Sequence, residues 1–314
     1  DLAEIVAAFC DVGIHVRLQT NGLASERRLE ECVNAGAHDI SISLDSLSGA
    51  LQDQINGGYK KSWERAVSSI AAVNKVFPSS GTAFFGTVLM PRNLLHIREV
   101  IEFGQAVGWG TSLVPVHHAD PGQPRGFRTF DDDGACQFRE SVFPLVREVI
   151  DDVKSMKREG YPVYDSVAYL DDIYRFIVGE PVRWRSRNQG VCDSPDLYFA
   201  IEPNGNLAPC CDFKIDEDVR VYDLDFARRY RDGTIHSMVE PFVRSCDGCM
   251  YGSYPEVSIS ARYFVVALQR LLHFERESKG VLKRVSAAEL IDIAIDIHER
   301  NVAWRERRNE EAVG

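Results

Sequence analysis

The sequence has no apolar run approaching the ~20 residues that a bilayer-spanning helix needs. It has no excess of basic residues, no internal repeat and no low-complexity segment. The first absence argues against a transmembrane helix. The second matters because 36 Lys+Arg against 47 Asp+Glu leave a net charge of −11, a poor match to nucleic acid or an anionic membrane surface. Asp1-Leu2-Ala3-Glu4 begins as an acidic helix and not as a signal peptide. With no initiator Met, further sequence upstream of Asp1 is expected. What is present is an ordinary globular composition: 314 residues, 45% hydrophobic and 26% charged. At roughly 100–200 residues per domain, that supports one large domain and a smaller one, with enough apolar content to exclude wholesale disorder.

The first ~120 residues alternate helical and strand patterns. Leu2, Ile5, Val6 and Phe9 form a helical stripe, and Ile14–Thr20 reads as a strand. Ser25 caps the next helix and Gly36 closes it. Asp39–Asp45, Ala83–Met90 and Ser112–Val116 read as strands, with helices over Ser62–Phe77 and after an Asn93 cap. Such alternation predicts an α/β fold with a parallel sheet. Residues 118–135 read as a Pro/Gly/Asp-rich loop, 136–179 as mostly helical, and 256–314 as a helical tail.

A strand buried on both faces should be nearly all apolar. Ile40-Ser41-Ile42-Ser43-Leu44-Asp45 instead alternates, and His15, Arg17, Gln19 and Asn21 repeat the pattern on the preceding strand. The polar faces therefore meet water, a ligand or a polar lumen. Ligands in such folds sit at the C-terminal strand ends, which places Thr20, Asn21, Ser43 and Asp45 near a site. His117 and His118 lie at a later strand end, where at most one of two adjacent side chains points inward.

Five of eight cysteines fall within 192–249. In a chain expected to be cytoplasmic, such a cluster favours a metal site over disulfides. Cys210 follows Cys192 by 18 positions, Cys246 follows 36 later, and Cys249 closes a C-x-x-C. Asn204-Gly205 is a strong hairpin signal, and its second strand presents Cys210. Four thiolates suit tetrahedral zinc or a [4Fe–4S] cluster, and spacing does not separate them. Cys211, adjacent to Cys210, points the other way and is read as a bystander.

Together these features resemble the radical S-adenosylmethionine (SAM) enzymes with a SPASM- or twitch-type auxiliary cluster domain. Thr20-Asn21-Gly22 resembles the family's T-N-G segment, and Ser41–Ser46 its S-x-D strand end. Val88–Leu94 resembles a strand-to-helix junction that carries Asn, and Ile201–Cys210 the P-x-G-x-x-x-P-C hairpin of the auxiliary domain. The resemblance implies a partial (β/α) barrel over 1–130, a helical linker over 131–187, a twitch-like domain over 188–255 and C-terminal helices over 256–314. It implies that Ser43 and Asp45 contact SAM, that Thr20 and Asn21 line its pocket, and that Asn93 either contacts it or serves as the helix cap. Cys192, Cys210, Cys246 and Cys249 would hold an auxiliary [4Fe–4S] cluster. The implied activity is that of a radical SAM oxidoreductase or maturase. In such enzymes a 5′-deoxyadenosyl radical abstracts a substrate hydrogen and the auxiliary cluster takes an electron. The implied partners are a small-molecule or peptide substrate and a reductant such as flavodoxin or ferredoxin.

The family's C-x-x-x-C-x-x-C loop, which holds the SAM-cleaving cluster, and its G-G-E segment do not occur in these residues. We therefore expect that ~60–80 residues, the size of two βα units, precede this chain and carry that second cluster. As given, the chain would not cleave SAM. A member that never had the cluster is the other expectation. A different class, a non-catalytic protein with a four-cysteine zinc site and a barrel-like binding domain, is also consistent with the residues alone.

Overall fold

Four short strands with alternating side chains form the central sheet: β1 (Arg17–Thr20), β2 (Asp39–Ser43), β3 (Ala83–Leu89) and β4 (Gly110–Pro115). They lie in the order β1-β2-β3-β4, and every neighbouring pair is parallel. The structure is a computed structural model that describes residues 1–117, 136–180, 182, 192–211, 213–215, 217–246, 249–251, 253–276 and 283–313. The Pro/Gly-rich stretch 118–135, His118 and the Asp247-Gly248 turn lie outside these.

Parallel neighbours require crossover connections, and helices supply them. α1 (Leu2–Asp11) precedes β1, and α2 (Glu26–Asn34) joins β1 to β2. α3 (Gly49–Ile55) and α4 (Ser62–Val76) join β2 to β3, and α5 (Ile97–Val107) joins β3 to β4. The fold is α/β, as the alternation predicted. Ser25 caps α2 by accepting the Arg28 N–H. Asn93 makes no side-chain cap bond to the turn it precedes, so its expected capping role is corrected; its amide is engaged elsewhere, as described below.

The helix-facing side of the sheet buries Ile40, Ile42, Leu44 and Phe85 against Ile70, Val73, Phe103 and Trp109. α12 (Ala287–Arg300) completes this core with Leu290, Ala294 and Ile297, and is started by a capping box between Ser286 and Glu289. α13 (Val302–Val313) follows it. A second core joins Leu89, Leu94, Ile97 and Leu113 to α6 (Phe143–Arg158) and α7 (Val167–Ile177). Between those two helices the chain touches the sheet. Val163 forms a parallel bridge to Thr111, with Thr111 N–H to Pro162 O at 2.8 Å and Tyr164 N–H to Thr111 O at 2.9 Å. This strand-like contact beyond β4 was not expected from a segment read as mostly helical.

The antiparallel pair β5 (Ala200–Ile201) and β6 (Leu207–Ala208) is the Asn204-Gly205 hairpin. With α8 (Phe226–Arg231) and α9 (Thr234–Ser245) it builds a small core of Leu207, Val219, Ile235, Val239 and Val243. α10 (Ser253–Arg262) and α11 (Phe264–Arg276) follow. Among the described residues no helix is long and apolar enough to cross a membrane.

Gly22 sets the turn that leaves β1. Its φ is +82°, and a Cβ there would sit 3.1 Å from Ala66 Cα; its carbonyl accepts the Ser69 hydroxyl at 2.6 Å. Gly22→Ala should therefore cost about 1–3 kcal/mol. Denaturant unfolding checks this, and an unchanged midpoint would contradict the required backbone conformation.

Candidate functional site

The face of the sheet turned away from the main helix layer is where polar side chains gather. Strand register sets Gln19, Ser41, Phe84 and Gly110 in one row, and Ser43, Gly86 and Ser112 in the next. Ser41 and Ser43 are half-buried there. A Cβ on Gly86 would come within 3.2 Å of Ser41 Oγ, so glycine keeps space open between the rows.

Thr20 pairs with Ile42 and so belongs to the opposite row from Gln19 and Ser41. Thr20 Oγ1 accepts the Gly22 N–H and Asn21 Oδ1 accepts the Leu23 N–H, both at 3.3 Å. These two side chains shape the turn after β1. Thr20 also lines a groove between α1, α2 and β1, together with Leu2, Ile5, Phe9 and Leu23.

Asp45 and Asn93 clasp the ends of β2 and β3. Asp45 Oδ1 accepts the Val88 N–H at 2.7 Å, and the Asp45 N–H donates to Gln52 Oε1 at 3.0 Å. Asn93 Nδ2 donates to Asp45 O at 3.0 Å and Val88 O at 2.8 Å, while Asn93 Oδ1 accepts the Met90 N–H at 3.0 Å. Burial pushes the Asp45 carboxyl up to about 6 against the opposing bonds from Val88 and Gln52. Asn93 has both amide hydrogens committed, and the clasp holds the C-terminal edge of the sheet. Asn93→Ala should cost roughly 2–4 kcal/mol, because it orphans buried backbone groups. Urea unfolding checks this; a loss under about 0.5 kcal/mol would contradict the clasp.

Cys192, Cys210, Cys246 and Cys249 line one cavity, walled by Tyr198, Pro209, Phe213, Phe242, Val243 and Tyr254. Cys210 follows β6 and Cys246 ends α9. None of the eight cysteines forms a disulfide. Cys211 is exposed, does not line the cavity, and contacts the Tyr254 hydroxyl at 3.3 Å. Among the described residues, the trio of possible metal-ligating side chains with donor atoms all within 4.8 Å of one another is His96, Glu99 and His298. Burial pushes the Cys192 thiol up, opposed by hydrogen bonds from the Ser194 backbone and the Tyr198 side chain.

The cysteine unit is joined to the sheet at the end of β4. His117 Nε2 accepts the Met250 N–H at 2.9 Å, and its ring stacks on Tyr251 with centroids 3.8 Å apart. An accepting Nε2 on a neutral ring puts the proton on Nδ1. The buried Tyr169 hydroxyl reaches both Leu113 O and Met250 O at 3.1 Å.

Two buried acids beside this junction were not picked out from the sequence. Asp165 accepts the Ser112 hydroxyl at 2.9 Å and the Leu113 N–H at 2.6 Å. Glu256 accepts both the N–H and the hydroxyl of Ser166 at 3.0 Å. The only local signal was Asp165-Ser166 ahead of an apolar run, which reads as a helix start. Burial pushes Asp165 up to about 7, with Leu113 opposing and Glu256 adding to the rise. Between pH ~4 and ~7 the unfolded chain thus carries an ionised Asp165 while the folded chain holds it protonated, so stability falls as pH rises through this window and levels off above it. Asp165→Asn should flatten that slope by on the order of 2 kcal/mol. Urea midpoints from pH 4 to 8 check this, and an unaltered slope would contradict it.

The fold and site together define a βα-repeat protein whose polar sheet face lies beside a four-cysteine unit. Residues 1–104 match the model of the Radical SAM superfamily. The matched stretch holds Thr20, Asn21, Ser43, Asp45 and Asn93 and stops before the cysteine unit. Among solved structures, Streptococcus suis SuiB is similar at 14% identity and a TM-score of 0.49, over 75% of this chain and 54% of that one. The chain thus spans about half the length of that structure. No curated protein matches it.

Proposed function

We propose that the protein is a radical SAM oxidoreductase or maturase with an auxiliary [4Fe–4S] cluster held by Cys192, Cys210, Cys246 and Cys249. The observation that supports a shared metal centre is that all four thiols line one cavity. A cubane binds four thiolates, each at a different iron. When bound, SAM and its reducing cluster supply a hydrogen-abstracting radical, and an auxiliary cluster supplies a one-electron acceptor.

This chain's own residues position and shield. Ser41 and Ser43 present hydroxyls on the polar sheet face. The Asp45–Asn93 clasp fixes the strand ends from which a ligand would be read, with Asp45 and Asn93 acting through the backbone. Thr20 and Asn21 shape the loop at the edge of that pocket. His117 and Tyr169 hold the Cys249–Tyr251 segment against the end of β4. In this reading the substrate is a small molecule or peptide, the reductant is of the flavodoxin or ferredoxin type, and the protein works in the cytoplasm.

Anaerobic purification with iron and sulfide reconstitution tests the reading. The expected product is brown, with about four irons and acid-labile sulfide per chain. Cys246→Ala should strip them and Cys211→Ala should leave them bound. A colourless zinc protein, or equal loss in both variants, would overturn the cluster assignment.

A further inference from the structure

Away from the polar sheet face and the thiol cavity, α5 and the C-terminal helices bury another set of ligand-type side chains. His96 ends the turn leading into α5, Glu99 lies in the first turn of α5, and His298 lies in the last turn of α12. His96 and Glu99, three residues apart, project to one side. One donor atom from each of the three residues lies within 4.8 Å of the other two.

Glu99 Oε2 is the shared centre, 2.8 Å from His298 Nδ1 and 3.6 Å from His96 Nδ1. The two imidazole planes are nearly parallel, at 14°, with centroids 5.9 Å apart. Glu99 is fully buried, and His96 Nδ1 is buried with no hydrogen-bond partner. A buried nitrogen left short of hydrogen-bonding distance is costly unless something fills the gap. Burial, then Arg305 and His298, push the His96 imidazole down to about 4, so it is neutral and has a lone pair to give. Arg305 pairs with the other carboxylate oxygen, Oε1. It also approaches the His298 ring nitrogens at 3.3 and 3.4 Å.

We propose that His96, Glu99 and His298 bind one divalent transition-metal ion of the zinc type, fastening α12 to α5. Two imidazoles and a carboxylate form a zinc donor set that leaves a fourth position for water. The ion replaces the hydrogen between His298 Nδ1 and Glu99 Oε2, and that imidazole then carries its proton on Nε2. Arg305 orients the carboxylate from its far oxygen, in the manner of an outer-shell partner, while its charge limits the affinity.

Titration of the purified full chain with Co²⁺ and Zn²⁺ tests this. Co²⁺ bound by cysteines shows sulfur-to-metal charge-transfer absorption, whereas Co²⁺ at this site does not, so the two are counted separately. One equivalent without thiolate bands is expected. His96→Ala should lose it or bind it at least about tenfold more weakly. His298→Gln, on the outer helix, should do the same and serves as the readout if His96→Ala does not fold. Thiolate-only Co²⁺ spectra, or unchanged stoichiometry and affinity in the folded variants, would overturn the proposal.

Discussion

A parallel sheet cannot be half-solvated at no cost unless the uncovered face carries side chains that tolerate water or a ligand. In this protein that constraint falls on β2 and its neighbours. Ile40, Ile42 and Leu44 are fully buried against α4, α5 and α12, which fixes the register, since a one-residue slip would exchange them with Ser41 and Ser43. Once the register is fixed, Gln19, Ser41, Ser43, Gly86 and Ser112 have no choice of side. The candidate ligand face thus follows from the packing of the opposite face. The Asp45–Asn93 clasp then holds the strand ends in the same register by directional bonds.

Much of this was legible in the sequence, because period-two alternation over six residues is a local signal. Ser25 and the Asn204-Gly205 hairpin were legible for the same reason. What was not legible depended on partners far away in the chain. The first strand was expected from Ile14, yet pairing begins only at Arg17, because Ile14 and His15 have no strand opposite them. Thr20 was placed near the site by its position at a strand end, but its register sets it in the row of Ile42. Asn93 looked like a helix cap, a role that local sequence favours, and long-range bonds to Asp45 and Val88 won instead. The strand-like contact at Val163 was hidden by Pro162 and by the strong helical patterns on both sides.

The two metal-type sites illustrate opposite limits of reading a sequence. The cysteine quartet announces itself by residue type, since clustered thiols that form no disulfide have few other uses. Its convergence on one cavity is a matter of folding, because the hairpin, the end of α9 and the Cys192 segment must meet. Cys211, chemically identical to its neighbour, is separated from the quartet only by direction. The His96, Glu99 and His298 group has no such signal. Histidine and glutamate are common on helices, and 199 positions separate Glu99 from His298. Only the docking of α12 across α5 brings them together.

The cysteine unit is joined to the sheet by hydrogen bonds to backbone as well as by apolar packing of Met250 and Ile259 against Leu113 and Tyr169. Met250 is engaged twice, its N–H by His117 and its carbonyl by Tyr169. Tyr169 shares its hydroxyl with Leu113 O, inside β4, so the sheet and the thiol segment hang from one phenol. Apolar contact alone would let these surfaces slide by a residue at little cost, whereas a buried carbonyl that loses its donor costs about 1–3 kcal/mol. Directional bonds of this kind fix distance as well as contact. A site that must keep four thiols beside a polar sheet face is better served by that kind of joint than by a greasy one.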